Sequence, residues 1–224
     1  MYLYETHLHT SPVSRCARST VREMLTMYRD LGYRGVFITN HFIDGNINID
    51  KTLPYEDKIR FYFSDYEEAR AISPEIGIDV FLGVELSYGG TDFLVFGLSP
   101  EWFLAHPEIE GMKKSEELRL MADDGALIIQ AHPFREANYI DHIRLFPRHI
   151  HGVEIINAAR GEFENSMAKS YADAYGLLYF AGSDKHSANP GRLAGVSFEE
   201  PITSEADFIE KVRKGLATVF EKTF

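Results

Sequence analysis

Short, nearly continuous apolar runs alternate along this chain with longer stretches whose apolar side chains recur every three to four positions. Tyr2–Glu5, Gly35–Thr39, Asp79–Val84, Phe93–Leu98, Ala126–Gln130, Gly152–Ile156 and Leu177–Ala181 are the runs, and dense Val, Ile, Leu and Phe of this kind marks strands buried on both faces. Between them, Ser19–Gly32 predicts a helix. Thr20 and Glu23 form a capping-box pair, Val21, Met24, Leu25, Tyr28 and Leu31 share one face, and Gly32 supplies a stop. Lys58–Ile72 repeats the pattern with Ile59, Tyr62, Phe63, Tyr66 and Ala69. Lys114–Asp124, Glu164–Tyr175 and Ser204–Gly215 complete the helices, Thr218–Phe220 reads as a short closing strand, and residues 42–57 read as a long loop. Strands alternating with helices favour a parallel sheet covered by helices.

Metal-capable side chains follow these runs. His7, His9, His41, Glu85, His132, Asp184 and His186 each fall at or just past the C-terminal end of a predicted strand. A doubly wound open sheet would cluster its functional residues at one switch point. Polar residues after nearly every strand instead suit the mouth of an α/β barrel, a metal-binding rim at the C-terminal ends of its strands.

Composition agrees with one barrel domain over residues 1–224: 45% of residues are hydrophobic and 25% charged. The formal net charge of −11 argues against nucleic acid on the bulk surface, although two or three bound divalent cations would add about 4 to 6 local positive charges. The single cysteine, Cys16, excludes an intrachain disulfide. No basic and apolar leader pattern opens the sequence, and no apolar run approaches the roughly 18 residues that span a bilayer. The expectation is a cytoplasmic protein without a membrane partner.

The spacing of the polar residues carries chemistry. His7 and His9 stand at i and i+2, where side chains on a strand share a face and two imidazoles can meet one cation. Asp184 and His186 repeat that spacing after the turn-forming Gly182-Ser183. Glu85 ends a fully apolar run, where a carboxylate needs a cation or an arginine, and a carboxylate can bridge two metals. His149 and His151 have the same i, i+2 spacing but precede their strand, on the opposite rim, and serve as an internal control: solvated or locally hydrogen-bonded rings are expected.

Glu5-Thr6-His7-Leu8-His9-Thr10, Thr39-Asn40-His41, Gly83-Val84-Glu85, Ala131-His132-Pro133 and Gly182-Ser183-Asp184-Lys185-His186 resemble, in order, the motifs of the PHP (polymerase and histidinol phosphatase) family. The resemblance implies a distorted (β/α)7 TIM-like barrel with a two- or three-metal site and phosphoesterase activity. It implies that His7, His9, Glu85 and Asp184 hold one metal, that Glu85 and His132 hold a second, and that His41 and His186 help hold a third. This chain departs from the family pattern in two ways. Asn40 stands where the family often has Asp. Ser14, Arg15, Cys16 and Asp92 occupy regions where further histidines are common, which makes Asp92 and Cys16 possible additional ligands.

No Gly-x-Ser-x-Gly elbow, Ser-His-Asp order or phosphate-cradling P-loop is present. No side-chain nucleophile is assigned, and a metal-bound water is the nucleophile on offer. Arg135, three residues after His132, is the leading phosphate ligand. Arg15, Arg18, Arg160 and Lys185 are further candidates. The expected activity is hydrolysis of a small or nucleotide-like phosphate ester, with a small-molecule phosphate as substrate. An amidohydrolase or deacetylase, or a non-catalytic PHP-like scaffold, are the rival readings. Mixed nitrogen and oxygen ligands suit zinc, manganese, iron or magnesium alike. Neither the natural substrate nor the oligomeric state is legible.

Overall fold

A computed structural model describes residues 1–224. The apolar runs pair edge to edge into one sheet of nine strands: β1 (Tyr2–Glu5), β2 (Gly35–Ile38), β3 (Asp79–Tyr88), β4 (Thr91–Phe96), β5 (Leu127–Ala131), β6 (Gly152–Asn157), β7 (Leu178–Gly182), β8 (Arg192–Phe198) and β9 (Thr218–Thr223). Their order is β7-β6-β5-β4-β3-β2-β1-β8-β9. The sheet curls until β7 nearly meets β1. Leu8, just past β1, bridges Lys185, just past β7, in parallel register. Strands β1 to β7 therefore make a nearly closed seven-stranded barrel, and β8 and β9 extend the sheet as antiparallel strands beside β1.

Helices α1 (Val21–Asp30), α2 (Tyr55–Ile76), α3 (Pro100–Ala105), α4 (Lys114–Asp123), α5 (Glu162–Tyr175) and α6 (Glu205–Arg213) pack around it. Thr20 caps α1 with the full capping box to Glu23, so the local signal read from sequence is the one the chain uses. The expected helix at 58–72 is longer at both ends, and residues 55–57 leave the predicted loop.

Three expectations need correction. The barrel is not all-parallel: β4 runs antiparallel to both β3 and β5, because Gly89 and Gly90, both at positive φ, turn β3 straight back as a hairpin with no intervening helix. For the same reason β3 continues past Val84 to Tyr88, so Glu85 lies within its strand rather than at the end. Strand β8 was not anticipated. Gly195 breaks its apolar run, and glycine is required there because a Cβ would lie 2.2 Å from the Tyr4 carbonyl oxygen.

The two-residue strand period sorts side chains into two layers. Val36, Ile38, Phe93, Val95 and Ile128 face the outer helices, while Phe37, Phe81, Leu94, Phe96, Leu127, Ile129 and Phe180 fill the lumen. Phe208 of α6 plugs the bottom, its ring centroid 4.4 Å from Phe37 in a tilted pair and 5.4 Å from Phe96 edge to face. Following the inward positions upward gives Phe37, Thr39, His41 on β2 and Phe81, Gly83, Glu85 on β3. The same parity gives Phe180, Gly182, Asp184 on β7 and, because β4 is reversed, Phe96, Leu94, Asp92. An aromatic floor thus gives way to small residues and then to a polar rim.

Candidate metal centre

The seven residues singled out from the sequence gather around one space, and four of them surround the fully buried Glu85. Its Oε1 lies 3.1 Å from His7 Nε2 and 3.5 Å from His132 Nε2. Its Oε2 lies 2.5 Å from His41 Nδ1 and 3.5 Å from His9 Nε2. Asp184 approaches from β7, with Oδ1 3.6 Å from His7 Nε2, 3.4 Å from His9 Nε2 and 3.6 Å from His186 Nδ1. His186 stacks on His9 with ring centroids 4.2 Å apart. Three sets of nitrogen and oxygen atoms each fall within 4.8 Å of one another: His7, His9, Asp184; His7, Glu85, His132; and His9, His41, His186.

These residues fit cations by a test independent of any motif. His7 Nε2, His9 Nε2, His41 Nδ1, His132 Nε2 and both Glu85 oxygens are buried without a hydrogen-bond partner. Buried polar atoms are ordinarily paired, and orphaned lone pairs aimed into one space are what a cation would satisfy. Without cations the cluster is held by charge. Burial lowers the His7 and His41 pKa values, but the surrounding carboxylates, Glu154 and Asp184 with Glu85 for His7 and Glu85 for His41, outweigh it and hold both imidazoles well above their ordinary value. Glu85 and Asp184 are raised by burial yet held well below the carboxylate range by the histidines around them. His9 goes the other way: burial and its neighbours His186 and His41 keep it neutral.

Sequence reasoning missed the groups that aim these ligands. Ser14 donates its hydroxyl to Asn40 Oδ1 at 2.8 Å, so its oxygen receives the His9 Nδ1 hydrogen at 3.2 Å and leaves His9 Nε2 bare. Asn40, the departure from the family pattern, uses its amide to donate to buried Asp65 and Thr10. Glu5 accepts the backbone N–H groups of His7 and Ser183 and the Tyr28 hydroxyl, tying β1 to the turn after β7. Glu154 sits 2.9 Å from His7 Nδ1. A signal for Glu154 did exist: it interrupts an apolar run just as Glu85 does. His132 and Asp184 adopt positive φ of 26° and 52°. Such conformations cost about 1–3 kcal/mol and collect at functional sites.

Above the cluster opens a cavity of about 710 Å³ lined by Cys16, His41, Asp92, Arg135, Arg160, Asp184 and His186 among others. Arg135 Nη1 is 3.3 Å from Asp92, and Arg160 Nη2 is 3.8 Å from Asp184. Asp92 lies 3.8 Å from His132 Nε2, on the Glu85–His132 side of the cluster. Burial raises the Cys16 thiol pKa, but hydrogen bonds with His186 and His41 prevail and bring it to about 6. Arg15 and Arg18 are exposed, and neither they nor Lys185 line the cavity. His151 accepts the Ile128 N–H at 3.0 Å, far from the cluster.

Residues 162–216, from α5 through α6, match the PHP-associated family model PHP_C. The fold resembles a two-domain protein from Bacteroides vulgatus containing a predicted PHP-like metal-dependent phosphoesterase, with TM-score 0.69, 15% identity, and 98% of this chain matched to 64% of that one. The likeness to PHP proteins is one of fold along the whole chain and of sequence over residues 162–216. The barrel also resembles a candidate metal-dependent phosphoesterase from Bifidobacterium adolescentis (TM-score 0.57, 15% identity, 92% and 94% of the two chains). An amidohydrolase from Chromobacterium violaceum, whose structure holds sulfate and no metal, is similar at TM-score 0.53 and 16% identity over 82% and 87%. The chain spans 64% of the length of the Bacteroides protein. No curated protein matches it in sequence.

Proposed function

We propose that residues 1–224 form one metal-dependent phosphoesterase domain that hydrolyses a small or nucleotide-like phosphate ester. The observation that carries this reading is the set of orphaned, buried nitrogen and oxygen atoms around Glu85. His7, His9, Glu85 and Asp184 would hold one divalent cation, and Glu85 and His132, with Asp92 beside them, a second. His41 and His186 would hold a third, with Cys16 within reach. When bound, such cations lower the pKa of water toward neutrality and offset negative charge on a phosphoryl group.

The chain's own residues supply the rest. Both Glu85 oxygens lack a hydrogen-bond partner, which leaves each one open to a cation. Arg135, beside Asp92, and Arg160, beside Asp184, both line the cavity. Each keeps donors for phosphate oxygens, the buried Arg160 Nε having no partner at all. With a formal charge of −11, the bulk surface disfavours a polyanion, which favours a small substrate that enters the cavity. No helix is long and apolar enough to cross a membrane.

Purified protein reconstituted with zinc or manganese is expected to bind at least two equivalents and to hydrolyse an aryl phosphate. Elemental analysis finding less than one cation per chain sinks the reading. Turnover of an amide panel with none of the phosphate would favour the amidohydrolase alternative. Stoichiometric cation without turnover of either would favour a scaffold.

A further inference from the structure

We propose that Glu154 is a positioning residue that sets the tautomer of His7 and holds the strained backbone of His132. One buried carboxylate thereby prepares ligands of two adjacent cation sites; the inference rests on the metal-site reading above. Glu154 lies on β6 with no exposed surface. Its Oε2 accepts the His132 backbone N–H at 3.0 Å and the Asn157 Nδ2 hydrogen at 2.8 Å. The Asn157 amide orientation is fixed independently, because its Oδ1 accepts the Ala159 N–H at 2.9 Å. Two of the groups facing Glu154 are therefore obligate donors, and both require an acceptor oxygen at the Oε2 position.

The third group follows from the same inventory. An ionised carboxylate only accepts, so His7 Nδ1, 2.9 Å from Glu154 Oε1, carries a hydrogen. In the neutral ring that would take a cation, that places the lone pair on Nε2, the atom lying 3.1 Å from Glu85 and 3.6 Å from Asp184 without a hydrogen-bond partner. Glu154 is not itself a ligand candidate, since neither of its oxygens is orphaned. The packing is built for this contact: a Cβ on Gly182 would come 2.4 Å from His7 Cβ and 2.6 Å from Glu154 Oε1. The other tether acts at the backbone, where His132 stands at φ 26° with its N–H drawn to Glu154.

Glutamine cannot replace it. An amide nitrogen in the Oε2 position meets two donors. In the Oε1 position it donates to His7 Nδ1 and moves the ring hydrogen onto Nε2, capping the coordinating atom.

The test uses the full chain loaded with zinc. Long-range proton–nitrogen NMR of histidine-labelled wild type should show His7 with hydrogen on Nδ1. Competition against a chromophoric chelator should show E154Q binding zinc about 10–100-fold more weakly, while its melting temperature in excess chelator stays near wild type. E162Q, an exposed control on α5, should bind as wild type does. His7 with hydrogen on Nε2 in the wild type, or E154Q affinity within about threefold of wild type, overturns the proposal. Should E154Q fail to fold, the wild-type tautomer decides alone. A wild type that binds no zinc brings down the metal-site reading itself, whereas equal binding by wild type and E154Q brings down only the role of Glu154.

Discussion

Saturating the cluster with a divalent cation should stabilise the fold by an amount that grows with pH. Six orphaned atoms surround one space: His7 Nε2, His9 Nε2, His41 Nδ1, His132 Nε2 and both Glu85 oxygens. Leaving a buried polar atom unpaired costs about 1–3 kcal/mol. The cation-free cluster reduces that cost by protonating His7 and His41 against Glu85, Glu154 and Asp184. Both imidazoles have folded pKa values raised above the ordinary 6.5, so their contribution is full below about pH 6.5 and is lost as pH rises through the raised values. Glu85 and Asp184 are depressed, so theirs is present above their ordinary 4.5 and 3.8 and is lost only as pH falls through the lowered values. The cation-free protein should accordingly be most stable between about pH 4.5 and 6.5 and weaken above that. A cation competes with the same protons, so its affinity rises as they leave. At cation one hundred times Kd the linkage is worth about 2.7 kcal/mol, which for a chain of this size raises Tm by about 5–11 °C. Differential scanning calorimetry with zinc against excess chelator, run at about pH 6, 7 and 8, measures it. A shift under about 2 °C at every pH, or one that shrinks as pH rises, would refute the reasoning.

Glu85→Ala and Asp184→Asn should each lower aryl phosphate turnover by about 10³-fold or more, roughly 4 kcal/mol of barrier, with the fold retained by circular dichroism; unchanged activity in either variant contradicts the assignment. Arg135→Ala should raise KM about tenfold while kcat moves less than about threefold, in keeping with a charged hydrogen bond to substrate worth about 1.5–3 kcal/mol; an unchanged KM removes Arg135 from the phosphate site. Phe208→Ala opens the aromatic floor between Phe37, Phe96, Phe180 and Phe198 and should cost about 3–5 kcal/mol in urea unfolding; a loss under about 1 kcal/mol would mean the floor collapses around the gap. His149→Ala, on the opposite rim, should leave cation stoichiometry untouched, and a lost equivalent would show that His-x-His spacing alone recruits metal.

Local patterns were legible from the chain alone. The capping box at Thr20 and Glu23, the buried strands, and the placement of His7, His9, His41, His132, Asp184 and His186 just past them rest on interactions within a few residues, and linear order displays those directly. Glu85 was found by the same token, as a charge closing an apolar run. What the tertiary structure decided was everything that depends on chain reversal and closure. The direction of β4 follows from a two-glycine hairpin and brings Asp92 to the rim from a strand's beginning rather than its end. Strand β8 was hidden by a glycine whose purpose, room for the Tyr4 carbonyl, exists only once β1 lies beside it. Arg160 and Arg15 look equivalent in the sequence, yet one lines the cavity and the other is exposed. Glu154 and His7 are 147 positions apart, and only closure of the barrel brings them to 2.9 Å. Periodicity records which face of an element is buried; which distant faces meet depends on the packing of the whole sheet, and that carries no mark in any single segment.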